Sequence, residues 1–284
     1  MKTILVPTDF SKSADCALSY AVAFAKKEKM SLLLLHACHV AVVTSDVPVD
    51  FAYAKIVSDE KEAIGNLKTL QARVKKSGLA KCTILCKQNF ALDAILDTIK
   101  EKKIAMVIMG TKGASGIKAV VVGSNAAAVI EKAECPVIAV PEKARFSKIR
   151  RVVYASDYRM NDLPSLKILI KLIQPFDAKL HIVHVSGGDY IPQSEKEMMN
   201  VFVSKIGSRL KYKKITYSIV YGKDTRKKLE EYSKNLPADL LVMSTHHRNL
   251  FTHLFGTSLT RKMAYHTDIP LMAFHYKNDP IIFT

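Results

Sequence analysis

Short, unalternating apolar runs recur along the chain: Ile-Leu-Val at 4–6, four leucines at 32–35, Thr-Ile-Leu at 83–85, Ala-Met-Val-Ile-Met at 105–109 and Pro-Val-Ile-Ala-Val at 136–140. A run without polar alternation predicts a strand covered on both faces, as in a parallel sheet. Between the runs, apolar residues fall at helical spacing: Ala17, Tyr20, Ala21 and Phe24, then Ile64, Leu67, Leu70 and Val74, then Leu92, Ile95, Leu96 and Ile99. Strand and helix therefore alternate, which predicts an α/β chain. No apolar run reaches the roughly 18–20 residues of a membrane-spanning helix, so no membrane association is expected.

The pattern then repeats. The opening KTILVPTDFS matches RRVVYASDYR, placing Thr8 and Asp9 over Ser156 and Asp157 at an offset of 148, and the same offset places His36 over His184. Further on, IAMVIMGTKG matches ADLLVMSTHH and CPVIAVP matches IPLMAFH at an offset of 134. One unit has been duplicated, and the change of offset gives the first copy 14 additional residues, expected around HVAVVTSDVPVDFAYAK. The second copy repeats the strand order with VVY, LHIVHV, TYSIVY, LLVM and LMAF, with helices expected near Pro164, Glu195, Thr225 and Thr257. Each copy predicts one doubly wound, Rossmann-like sheet of five parallel strands, the first unit over 1–145 and the second over 146–284.

The composition agrees with two ordinary globular units: 284 residues, 49% hydrophobic, 24% charged, and too little glycine and proline for a fibrous or low-complexity chain. Lys and Arg number 43 against 26 Asp and Glu, a net charge of +17 spread over both copies rather than gathered in a tail. Lysine-rich stretches such as Lys211–Lys214 and Arg226–Lys228 come with no nucleic-acid-binding signature, so a solvated surface is expected and no specific nucleic-acid site. The opening residues lack a secretory pattern, and a cytoplasmic protein is expected. Five scattered cysteines, Cys16, Cys38, Cys82, Cys86 and Cys135, read as reduced thiols, with the close pair Cys82 and Cys86 as strand residues rather than metal ligands.

Ligands of open parallel sheets bind beyond the carboxyl ends of the strands. That directs attention to Thr8 and Asp9, His36 and Ala37, and Gly110 and Thr111. Asp9 suits either a helix cap or the binding of a ribose hydroxyl or a cation. After the fourth strand come Gly110-Thr-Lys-Gly113, nine residues, and Gly123-Ser124 before the helical run NAAAVIEKA. Glycines let backbone approach a phosphate, a helix N-terminus offers N–H groups, and Ser124 with Lys112 or Lys118 adds a hydroxyl and charge. The arrangement predicts nucleotide binding, against turn and cap glycines as the plain alternative.

The G-x2-G-x9-G-[ST] pattern, the opening ILVPTDFS, the LLHA segment and the closing CPVIAVP together resemble the universal stress protein family, as two tandem units covering the whole chain. The resemblance implies an adenine nucleotide alpha hydrolase-like fold and ATP binding; Mg²⁺ is expected with the ATP, and Asp9 is the candidate for holding it. It implies that Pro7, Thr8 and Asp9 line the adenosine site, that Ala37 lies by the adenine, and that Met109, Gly110 and Thr111 contribute at the fourth strand. Gly113, Gly123, Ser124 and Asn125 would hold ribose and phosphates, Asn125 departing from the small apolar residue usual there. It also implies intrachain pairing of the two units, admits a homodimer, and names no protein partner.

The second copy aligns Ser244 with Gly110, His247 with Gly113 and Thr257 with Gly123, and Leu250 and Phe251 add bulk, so it is expected not to hold ATP in the family's way. It also carries seven of the nine histidines, His181, His184, His246, His247, His253, His266 and His275. A protein- or metal-binding interaction module is therefore the alternative from another class. No catalytic triad, nucleophile elbow or Walker lysine is present, so a regulatory binding protein is expected rather than an efficient enzyme, slow ATP hydrolysis being compatible with the pattern.

Overall fold

The computed structural model of the protein describes residues 2–38, 49–111, 124–146, 148–246, 260, 263 and 268–276. The chain divides into two compact units, Met1–Arg145 and Phe146–Thr284. The first contains β1 (Thr3–Pro7), α1 (Lys12–Glu28), β2 (Ser31–Cys38), α2 (Val49–Lys76), β3 (Cys82–Gln88), α3 (Ala91–Glu101), β4 (Met106–Gly110), α4 (Ser124–Lys132) and β5 (Val137–Val140). Its strands lie in the order β3-β2-β1-β4-β5, all parallel. Ile4, Leu5 and Val6 are fully buried and all residues of β4 and β5 are buried, as strands covered by helices on both faces must be.

α1 forms where the sequence supplies both ends. Ser11 caps it by accepting a hydrogen bond from Ala14 N at 3.2 Å, and Lys29 ends it in the left-handed conformation, its N–H returning to Ala25 O. The helix buries Ala14, Ala17, Leu18, Ala21, Phe24 and Ala25, a stripe at helical spacing. Asp9, one of the candidates for the cap, instead accepts from Ser11 N at 3.0 Å, just ahead of the helix.

The second unit contains β6 (Arg151–Ala155), α5 (Asp162–Ile173), β7 (Lys179–Ser186), α6 (Gln193–Phe202), a π turn over Val203–Gly207 running into α7 (Ser208–Leu210), β8 (Ile215–Tyr221), α8 (Thr225–Asn235), β9 (Leu240–His246) and β10 (Leu271–Tyr276). Its strand order is β8-β7-β6-β9-β10, again parallel, repeating the first unit's wiring. The helix expected near Thr257 lies outside the described residues. The extra length of the first copy sits between β2 and β3, where α2 runs for 28 residues against 10, 5 and 3 for the three helical pieces that replace it. α2 presses Ala63, Leu67 and Val74 onto the unit.

One carboxyl group couples this fold to pH. Glu28, in the last turn of α1, has a buried Oε1 without a hydrogen-bond partner, and burial pushes its carboxyl up to about 7 despite the opposing charges of Lys27 and Lys2. The folded chain therefore holds this proton more tightly than the unfolded chain. The resulting stability is fully present below the ordinary value of 4.5 and is lost as pH rises through 7. Replacing Glu28 with Gln is expected to flatten the fall in melting temperature between pH 5 and pH 8, and parallel melting curves for the two proteins would refute this.

Candidate functional site

The order of the first sheet reverses between β1 and β4, which pair through Ile4 with Met106 and Leu5 with Val107. β2 and β3 continue to one side and β5 to the other. At such a reversal the loops leaving neighbouring strands turn to opposite faces and leave a crevice at the carboxyl edge. Pro7 closes β1 opposite Leu35, Ala37 is the penultimate residue of β2, and Met109 and Gly110 close β4 opposite Ala139 and Val140. These residues, with Thr8, Asp9 and Thr111, stand at the ends of three adjacent strands. Ser124 and Asn125 open α4, both exposed. Because α4 leads within a few residues to the amino end of β5, its N-terminus faces the carboxyl edge. Lys112, Gly113, Lys118 and Gly123 lie outside the described residues.

The β1 exit is a tightly bonded turn. Thr8 N donates to Leu35 O at 2.8 Å, the Thr8 hydroxyl accepts from Phe10 N at 3.0 Å, and the Thr8 carbonyl meets His36 Nδ1 at 2.8 Å. Phe10 takes a left-handed φ of 61° and stacks on the His36 ring with centroids 4.5 Å apart. The Asp9 carboxylate is thereby presented at the exposed rim. Thr111 is buried and its N–H donates to Val140 O at 3.2 Å. The sequence marks His36 as a strand-end position and as an alignment point between the copies, but not as the residue that ties β2 to the β1 exit. The signal for its role was the alignment itself, since His184 meets the carbonyl of Ser156, the counterpart of Thr8, at 2.9 Å.

Gly110 has a structural duty besides any ligand. A Cβ built on it would lie 2.5 Å from Ser13 Oγ and 2.8 Å from the Ser13 carbonyl carbon and oxygen, so β4 and the first turn of α1 touch only because position 110 lacks a side chain.

The equivalent place in the second unit is built differently. Tyr154, Asp162 and Ser244 stand where the first unit has Val6, Ala14 and Gly110. The buried Asp162 carboxylate accepts from the Tyr154 hydroxyl at 2.9 Å and from the Ser156 hydroxyl, and Ser165 bonds Ser244 at 3.3 Å. Burial, and then the Asp162 charge, hold the Tyr154 phenol well above its ordinary value. Tyr158, the counterpart of Phe10, turns inward to 4% exposure and donates to Ser218 O at 2.7 Å. Phe10, by contrast, is 37% exposed.

The histidines of the second unit do not form a metal centre among the described residues, where no three metal-ligating side chains gather. His181 bonds Thr216 at 2.8 Å, and its imidazole is held below the ordinary value by burial and by Lys179 and Arg151. His184 lies 3.7 Å from Glu195 and 3.9 Å from Asp157. His247, His253 and His266, like Leu250, Phe251 and Thr257, are outside the described residues. Part of the lysine-rich surface is ion-paired, Lys214 with Asp177 and Lys228 with Glu231, which fits a solvated face. No helix among the described residues is long and apolar enough to cross a membrane.

The cysteine expectation needs correction. Cys16, Cys82 and Cys135 are thiols, but Cys38 and Cys86 are joined in a disulfide. The pairing follows from strand register, because Cys86 lies opposite His36, two residues before Cys38 on the same face of the sheet.

Comparison with known proteins agrees with this architecture. The chain is 31% identical over 144 residues to universal stress protein YxiE of Bacillus subtilis, covering 48% of this chain and 97% of that one. It is 23% identical over 296 residues to universal stress protein Slr1230 of Synechocystis, covering 96% of this chain and all of the relative. The solved structure of a universal stress protein from Archaeoglobus fulgidus shares the fold with a TM-score of 0.74 at 19% identity, over 96% of this chain and 98% of that one. The family model described as "Universal stress protein family" matches twice, at residues 1–141 and 148–275. With both copies matched, this doubly wound, Rossmann-like chain belongs to the universal stress protein family as a tandem two-unit member.

Proposed function

We propose that the protein is a cytoplasmic, ATP-binding regulator in which the first unit holds the nucleotide and the second is a degenerate partner that pairs with it. The observation that carries this reading is the meeting of Pro7–Asp9, Ala37 and Met109–Thr111 at the ends of three adjacent strands, where the sheet order reverses. The glycine-rich segment 110–124 follows directly. In this reading Pro7, Thr8, Ala37 and Met109 line the adenosine, Asp9 takes a ribose hydroxyl or the Mg²⁺ that accompanies the phosphates, and Gly113, Gly123, Ser124 and Asn125 meet the phosphates. An exposed carboxylate fits a hard, oxygen-seeking cation, and the N-terminus of α4 fits an anion.

The second unit supports the asymmetry, since side chains of its own fill the matching places with Ser244 and Tyr158. Binding rather than turnover is the proposed role, because His36, the imidazole at the rim of the first unit, is engaged by the Thr8 carbonyl and stacked by Phe10. Occupancy would act by favouring the conformation that holds ATP better.

Titration of the full chain with ATP and Mg²⁺ in a calorimeter is expected to give one site per chain. Gly113→His, which copies the second unit's residue, is expected to weaken binding by at least about tenfold, or roughly 1.4 kcal/mol. No heat of binding, two sites, or an unaffected variant would each overturn the reading.

A further inference from the structure

The five cysteines fall into two chemical groups. Cys16 donates to Ala144 O at 2.8 Å, and burial pushes the thiols of Cys82 and Cys135 up to about 11 and about 12, leaving little thiolate at neutral pH. Cys38 and Cys86 differ from these in place and in state. They lie on neighbouring parallel strands with Cα atoms 6.7 Å apart and 48 residues of separation, their sulfurs bonded. Cys38 is buried, whereas Cys86 is partly exposed and open to attack.

Their location matters as much as their pairing. Cys38 ends β2 directly after Ala37, and the same strand carries His36, whose ring meets the Thr8 carbonyl at the exit of β1. A covalent tie from Cys38 to β3 therefore restrains the strand end that forms one wall of the candidate site.

We propose that Cys38 and Cys86 are a reversible dithiol–disulfide couple whose oxidation stiffens the end of β2 and tightens nucleotide binding by the first unit. The second half rests on the function proposed above. In the oxidising direction, the Cys86 thiolate attacks one sulfur of a small-molecule disulfide, forming a mixed disulfide and releasing one thiolate. Cys38 then loses its proton and attacks Cys86 Sγ, expelling the second thiolate. Two protein thiols are oxidised and one small disulfide is reduced to two thiols, so electrons and protons balance. Dithiothreitol runs the exchange backwards. A wall already restrained loses less freedom when a ligand orders it, so the oxidised form binds more tightly.

The test uses the full chain equilibrated with glutathione disulfide or with dithiothreitol, then alkylated and digested for mass spectrometry. A linked Cys38–Cys86 peptide is expected after the first treatment and its two alkylated halves after the second. Failure to recover the link, or its persistence in excess dithiothreitol, overturns the couple. Because the bond closes a 48-residue span, the oxidised chain is expected to melt higher by about 5 °C, a readout that needs no nucleotide, and equal melting temperatures count against the stiffening.

ATP titration is then expected to show binding about threefold or more tighter in the oxidised state. Cys38→Ser and Cys86→Ser should show no such dependence. Equal affinities in both states of the wild-type chain overturn the coupling. Absence of ATP binding in either state, with the linked peptide recovered, instead refutes the nucleotide reading and leaves the redox couple standing on its mapping and melting results.

Discussion

Replacing Gly110 with alanine is expected to destabilise the first unit by about 2–3 kcal/mol, lowering its melting temperature by roughly 5–10 °C. The added carbon would lie 2.5 Å from Ser13 Oγ and 2.8 Å from two backbone atoms of the same residue. The hydroxyl can rotate away, but the backbone cannot without shifting the first turn of α1. That turn is held by Ser11, whose side chain bonds Ala14 N, and by the buried Ser13 and Ala14. Calorimetry with hydrogen exchange on α1 and β4 would check this, and unchanged protection there would refute it. ATP affinity is expected to fall with stability, since α1 follows directly on the turn that presents Asp9.

The second large effect is expected at Asp162. Replacing it with alanine removes an acceptor that serves two buried hydroxyls, Tyr154 at 2.9 Å and Ser156. Ser156 in turn accepts from Tyr158 N at 2.8 Å, so the loss reaches the β6 exit. Leaving buried donors without their acceptor costs about 1–3 kcal/mol each, and a loss of roughly 2–4 kcal/mol in denaturant unfolding is expected. Asp162→Asn keeps a carbonyl acceptor and should lose less. Equal stability of wild type and alanine variant would show that water replaces the carboxylate at no cost. Because the Tyr154 phenol is raised in the folded state, its contribution is fully present below the ordinary value of 10.0 and is lost as pH rises above it.

Much of this architecture was legible in the sequence, and for a specific reason. β1, β4 and β5 are buried on both faces, so their residues read as continuous apolar runs, and the duplication repeats that reading, at an offset of 148 for β1 and 134 for β4 and β5. The strand ends of the candidate site follow from that order alone.

The remainder depends on partners that sequence distance hides. Gly110 reads as a phosphate glycine, whereas its contact is Ser13, on a helix two strands earlier in the chain. Cys38 and Cys86 pair through a register that local spacing does not reveal. The buried network of the second unit was present in the aligned copies, because Tyr154, Asp162 and Ser244 replace Val6, Ala14 and Gly110 together. Three polar replacements at three apolar or glycine positions mark a refitted core, a signal visible only when both copies are compared position by position.

The left-handed residue after each first strand has a further consequence for how such a duplicated chain diverges. Phe10 and Tyr158 share the same unusual backbone turn, φ 61° and 52°, yet one ring faces outward and the other is inside. The loop has been inherited as a fixed joint, and what changed is the direction of a single ring. One copy can therefore change what its strand exit presents by turning one aromatic side chain, with the chain path left intact.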